Sequence, residues 1–229
     1  MSLFAIADLH LSLGVEKPMD IFSGWEGYLK KLEYNWNSNV TQDDTVVVAG
    51  DISWGMNLEE ALKDFEFLDS LPGRKILIRG NHDYFFSTKG KIDKFFFENG
   101  FSSLNFLFNN SYEYCDISIC GTRGWANISD EENSLQDNKK ILQREAGRLQ
   151  LSLDSAKKKP IVFLHYPPIF CGDKSQEILD VLHKNNIKNV YYGHLHGKSC
   201  KYAIRGEVDG INYDFISSDY LNFNLLKIL

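Results

Sequence analysis

The chain has 229 residues, 43% hydrophobic and 14% aromatic, enough to bury a sizeable core as one globular domain spanning 1–229. A formal net charge of −6 and a pI near 5.5 exclude a broad basic surface of the kind that neutralises a run of polynucleotide phosphates. Cys115, Cys120, Cys171 and Cys200 form no Cys-x-x-Cys pair, which excludes a zinc knuckle or dithiol motif, and no apolar stretch approaches membrane-spanning length, so a cytoplasmic protein with reduced thiols is expected.

Short apolar runs rich in branched residues recur along the chain, each ending in a polar cluster. They span Leu3 to Ala7, Thr45 to Ala49, Lys75 to Ile78, Ile117 to Cys120, Ile161 to Leu164 and Asn189 to Tyr192, and they read as buried strands. Between them lie helix-period segments. Trp25, Tyr28, Leu29, Leu32 and Trp36 form one; Leu58, Ala61, Leu62, Phe65 and Leu68 a second; Leu142, Leu149 and Leu153 a third. Alternation of strands and helices predicts an α/β fold. The segment from Tyr84 to Tyr114 reads as an excursion packed on the core, and the polar stretch from Asn127 to Lys140 as a surface loop running into a helix. Lys201 to Ile204, Ile211 to Ile216 and Leu225 to Ile228 look like strands separated by turns, with Asp209-Gly210 as a hairpin signal.

Five of the six histidines follow a predicted strand directly: His10, His82, His165, His194 and His196. Packing does not explain that placement, because the carboxyl ends of strands are where open α/β sheets hold ligands. Asp8, Asp51, Asn81 and Asp83 occupy the same kind of position. His183 is the control, lying in a helical segment with no partner motif.

Imidazole nitrogens mixed with carboxylate oxygens suit zinc, manganese or iron rather than calcium, which prefers oxygen ligands only. Asp8 and His10 stand two residues apart at a strand end, as do His194 and His196, so each pair leaves one face together. Two such pairs exceed one tetrahedral centre and suggest two ions with a carboxylate between them.

The same blocks resemble the calcineurin-like metallophosphoesterases. Asp8-Leu9-His10, Gly50-Asp51, Gly80-Asn81-His82-Asp83, His165 and Gly193-His194-Leu195-His196 fit that family's motifs in order and without substitution. The resemblance implies two mixed β-sheets packed as a sandwich with helices outside, a four-layer αββα arrangement. It implies a first metal on Asp8, His10, Asp51 and His196, and a second on Asp51, Asn81, His165 and His194, with two ions drawn from manganese, iron or zinc. Attack on a phosphate mono- or diester by a hydroxide bridging the metals is then expected, with His82 as the general acid. Asp83 either orients that imidazole or serves the turn.

Arg123 and Trp125 follow another strand; the guanidinium could grip a phosphate oxygen and the indole line the pocket, or both could be structural. Trp54, Tyr166, Pro167 and Pro168 stand near the expected mouth. Protein phosphatases of this family carry an Arg shortly after Gly-Asp, where this chain reads Ile52-Ser53-Trp54, which favours a small phosphoester or nucleotide as substrate. A nuclease of the same family and a non-catalytic interaction scaffold are the alternatives.

Overall fold

The computed structural model describes residues 1–125 and 135–229. In chain order the strands are β1 Leu3–Ile6, β2 Thr45–Ala49, β3 Arg74–Ile78, β4 Leu104–Leu107, β5 Tyr112–Tyr114, β6 Ile117–Thr122, β7 Lys159–Leu164, β8 Ile169–Phe170, β9 Asp173–Lys174, β10 Asn189–Tyr192, β11 Gly206–Val208, β12 Ile211–Phe215 and β13 Leu226–Lys227. The α-helices are α1 Tyr28–Asn39, α2 Leu62–Ser70, α3 Lys89–Glu98, α4 Leu135–Asp154 and α5 Gln176–Lys184.

One sheet has the order β13-β1-β2-β3-β4 and the other β11-β12-β10-β7-β6-β5. In each, the central strands are parallel and the outermost additions on one or both flanks, β13, β11 and β5, are antiparallel. Side-chain alternation explains the layering. Leu3, Ala5 and Ala7 of the first strand region point with Val47, Ala49, Ile119 and Phe163 into the space between the sheets, while Phe4 and Ile6 face the opposite way toward Leu32, Trp36 and Phe65 of the helices. The outer face of the second sheet packs on Leu142, Ala146, Leu149 and Leu153 of α4 and on Ile178, Leu179 and Leu182 of α5. The result is helix, sheet, sheet, helix, because strands buried on both faces need cover on both.

Several expectations are adjusted. The region from Tyr84 to Tyr114 is not an excursion: it supplies α3, the parallel strand β4 and the edge strand β5. Lys201–Ile204 is not a strand, since a 3₁₀ turn runs through Gly197–Tyr202; its hairpin partner is instead β11, and Asp209 and Gly210, both at positive φ, make the turn into β12. Trp25 and Leu58 precede their helices rather than belonging to them, α1 starting after Gly27 in the left-handed conformation. Of the polar stretch 127–140, residues 127–134 lie outside the described ones. Among the described residues, no helix is long and apolar enough to cross a membrane. The four cysteines are free thiols, and His183 is exposed on α5.

Candidate metal centre

Because β1, β2, β3, β7, β10 and β12 run parallel within their sheets, their carboxyl ends emerge together at one end of the sandwich. The backbone there is stitched across strands: Asp8 N–H donates to the Gly50 carbonyl at 2.9 Å, His10 N–H to Asp51 at 2.9 Å, and Gly193 N–H to His165 at 3.1 Å. The two sheets are joined at this end by Ala7, whose N–H donates to Ile216 at 2.8 Å and whose carbonyl accepts from Ser218 at 3.0 Å. Asp8, His10, Asp51 and His194 all hold positive φ, from 46° to 75°. Non-glycine residues seldom sit there, and these four stand together at one end of the sandwich.

Side-chain atoms of Asp8, His10 and His196 fall within 4.8 Å of one another, and so do those of Asp51, His165 and His194. The Nε2 atoms of His10 and His196 are 3.3 Å apart. In the other group His165 Nε2 is 3.3 Å from His194 Nδ1 and 2.7 Å from Asn81 Oδ1. Two imidazole nitrogens bound to one ion at about 2.0–2.1 Å each lie roughly 3 Å apart, so each cluster has the spacing of a shared cation. Asp51 Oδ2 stands 3.7 Å from His10 Nε2 and 3.4 Å from His165 Nε2, facing both groups.

Several of the remaining atoms of these residues are anchored by protein, whereas His10 Nδ1 is buried without a hydrogen-bond partner. Asp51 Oδ1 accepts from His82 N–H at 2.8 Å. Asp8 Oδ2 accepts from Ser217 Oγ at 2.7 Å and His194 N–H at 2.9 Å; Oδ1 shares that N–H at 3.1 Å and faces His196 Nε2 at 3.4 Å. His165 Nδ1 lies 3.1 Å from the Ala49 carbonyl, a contact suited to a hydrogen on Nδ1, while Nε2 faces Asn81 Oδ1 and His194. His196 Nδ1 contacts Asp219 Oδ1 at 3.0 Å, and the other oxygen of Asp219 accepts from Gly197 N–H at 2.8 Å. Asp219, Ser217 and Ser218 escaped the sequence motifs; the signal that marks them is the same one used for the histidines, a polar run directly after a strand.

Protein groups alone polarise the site. Burial, reinforced by Asp8, pushes the Asp51 carboxyl up to about 8. Burial also holds His10 and His165 well down, and lowers His194 to about 3. His196 is raised to about 10, burial being outweighed by Asp8 and by its bond to Asp219. Asp8 is held low against its own burial by His196, His165 and His10. Neutral His10, His165 and His194 are in the state that takes up a cation, whereas His196 and Asp51 would each release a proton on binding one.

His82 lies at the edge of the clusters, 5.6 Å from His10 between ring centroids and 4.4 Å from Trp54, and burial lowers it to about 4. Its Nδ1 meets the Tyr84 hydroxyl at 3.4 Å. Asp83, expected as an orienting group for His82, is occupied elsewhere: its oxygens accept from the N–H groups of Ile52 at 2.7 Å, Ser53 at 3.1 Å and Gly80 at 2.6 Å. It is the turn reading of Asp83 that the geometry displays, tying the β2 exit to the β3 exit. Arg123 is drawn to the buried Glu145, 3.3 Å away, and lies over the Trp125 ring. Trp125 packs on Tyr166 at 5.2 Å and Tyr166 on His194 at 4.1 Å, so Trp125 reaches the histidines through another ring.

Comparison with known proteins gives three findings. A sequence model described as calcineurin-like phosphoesterase matches residues 1–198. The uncharacterized protein MJ1445 of Methanocaldococcus jannaschii is 42% identical over 64 residues, which are 28% of this chain and 35% of that protein; the match therefore spans about a third of that relative. Among solved structures, phosphopantetheinyl hydrolase (PptH) of Mycobacterium tuberculosis superposes with a TM-score of 0.59 at 14% identity, over 100% of this chain and 95% of that one. The protein of unknown function AQ665 of Aquifex aeolicus gives 0.55 at 16% identity, over 99% and 95%; both likenesses concern the fold.

Proposed function

Because the chain belongs to the calcineurin-like phosphoesterase family, we propose that it is a binuclear-metal phosphohydrolase acting on a small phosphoester or nucleotide. The observation that carries this reading is the paired 3.3 Å nitrogen contact in each of two clusters, with Asp51 Oδ2 facing both. Asp8, His10, Asp51 and His196 would hold one ion; Asp51, Asn81, His165 and His194 would hold the other. Manganese, iron and zinc suit this donor set. When bound, such ions supply Lewis acidity toward a phosphoryl oxygen and an acidified water as nucleophile.

The chain's own residues do the rest. In hydrolysis the water oxygen bonds to phosphorus, the ester P–O bond breaks with its electron pair on the leaving oxygen, and that oxygen takes a proton. His82 is the donor in this proposal. With the Tyr84 O–H given to Nδ1, the ring carries its hydrogen on Nε2, turned to the departing oxygen. Burial keeps the imidazole neutral in the protein alone, and an incoming phosphate dianion raises its affinity for a second proton. Substrate attraction is local to the centre in an acidic chain, which favours a small phosphorylated molecule over a polynucleotide.

Replacing His82 by Ala separates chemistry from binding of the ions. The anchor on Asp51 comes from the backbone N–H of residue 82, which Ala keeps. Turnover of an alkyl phosphate, whose departing alkoxide needs the proton, should fall by about 10²- to 10⁴-fold with metal content unchanged by mass spectrometry of the purified protein. Parallel loss of metal would remove His82 from the acid role.

A further inference from the structure

Over the His10 side of the centre lies an apolar cavity of about 370 Å³, walled by Met19, Phe22, Trp25, Trp54 and the rings of His10 and His82. Met19, Phe22, Ser23 and Trp25 of its lining come from the stretch between His10 and α1, which none of the family motifs covers. Trp54 stacks on His10 at 5.0 Å and 23°, and Trp25 meets His10 and His196 edge-on at 5.8 and 5.7 Å. The one polar atom of the Trp54 indole is turned to the Met19 sulfur at 3.4 Å, so the cavity is offered ring faces and a thioether. Beyond the histidines and indoles, only Ser23 among the described residues contributes a hydrogen-bonding side chain.

Two further facts concern the mouth. Phe22 is 52% exposed and Ile21 74% exposed, large apolar side chains left in water where nothing in the described fold covers them. Both also line an adjoining cavity of about 330 Å³ with Lys17 and Trp54, and the Lys17 ammonium lies 4.2 Å from the Trp54 ring centroid. With Trp54 stacked on His10 and approached by Lys17, the ring left open to an incoming planar group is that of the exposed Phe22.

We propose that this cavity is the leaving-group subsite, and that it selects phosphate esters whose leaving group is planar and aromatic. The inference rests on the phosphohydrolase reading, because it takes its direction from His82. A group that protonates the departing oxygen must stand beside the leaving group, and His82 is in the cavity wall, so the leaving group enters there. A polyhydroxylated leaving group would bury hydroxyls with few partners, at a cost; indoles, a phenyl ring and a thioether reward an aryl group.

Benzyl phosphate and ethyl phosphate test this, since both release alkoxides and differ in the ring. Manganese-loaded enzyme should prefer benzyl phosphate in kcat/KM by on the order of tenfold or more. Phe22→Ala, at an exposed position, should cut that ratio by about fivefold with metal content unchanged, and Phe22→Tyr should preserve it. Equal kcat/KM on the two esters in the unaltered protein, or an equal loss on both in Phe22→Ala, overturns the subsite and leaves the phosphohydrolase reading standing. Absence of turnover on both esters and on their methyl diesters removes that reading and the subsite with it.

Discussion

His196 is held by a carboxylate that binds nothing else of the centre. Asp219 takes its Nδ1 at 3.0 Å and braces the next backbone N–H, so ring orientation and basicity depend on it. Such outer partners are typically worth about 10- to 100-fold in metal affinity. Asp219→Asn should therefore weaken binding by roughly that factor in a chelator-competition titration, with unfolding in metal-free buffer little changed; wild-type affinity would show that Asp219 merely caps the 3₁₀ turn. Asp64 is a different kind of residue, a buried carboxyl accepting from Leu13 N–H at 2.7 Å and Ser53 Oγ at 2.5 Å. Burial lifts it from 3.8 to about 6. A raised carboxyl favours the protonated fold, so its contribution to stability is full below pH 3.8 and lost as pH rises through about 6. Urea unfolding in chelator should show wild type losing on the order of 2 kcal/mol relative to Asp64→Asn between pH 4 and 6, and parallel profiles would contradict the assignment. The two differ in how far the sequence shows them. Asp219 stands in the polar run Ser217-Ser218-Asp219 after a strand, as the histidines do, although its partner His196 is 23 residues away; Asp64 lies in a helix and matters through Ser53, 11 residues away, which no local pattern encodes.

At the scale of elements, the centre is made by strand exits that bend sharply. Gly193 ends β10 where an added Cβ would come within 2.3 Å of Asp8 Oδ2 and 2.5 Å of Ala7 Cβ. A side chain there would strike the Asp8 carboxylate directly. Gly193→Ala should push Asp8 aside, lower metal content and cost at least about 1–3 kcal/mol as overpacking, by denaturation with and without manganese. Gly147, on α4 with nothing within 4 Å of an added methyl, supplies the contrast, since Ala there should stabilise by about 0.5–1 kcal/mol. The six strands with branched apolar runs are readable because burial on both faces demands such runs. The strand β4 is not, its Asn105 breaking the apolar run in Leu104–Leu107, and the short β8–β9 hairpin turns on Cys171 and Gly172, a pair that lacks the usual Asn or Asp. Trp25 keeps helical spacing with Tyr28 and yet lies outside α1, because its role is in the wall of the centre and Gly27 starts the helix after it.

At the scale of the whole molecule, neither sheet could make the site alone. Asp8, His10, Asp51 and Asn81 leave strands of one sheet, while His165, His194 and His196 leave strands of the other, so each proposed ion is held between them. The sandwich brings opposed ligand sets to one end and fixes them through the Ala7 contacts with Ile216 and Ser218. Ions binding only the folded state would then clamp the two layers together. The most direct measurement is metal stoichiometry after reconstitution with manganese, for the wild type and for His10→Ala and His194→Ala. Two ions per chain are expected, about one in each variant, with loss of phosphoesterase activity in both. A single ion in the wild type, or undiminished stoichiometry in both variants, would contradict a shared two-ion centre.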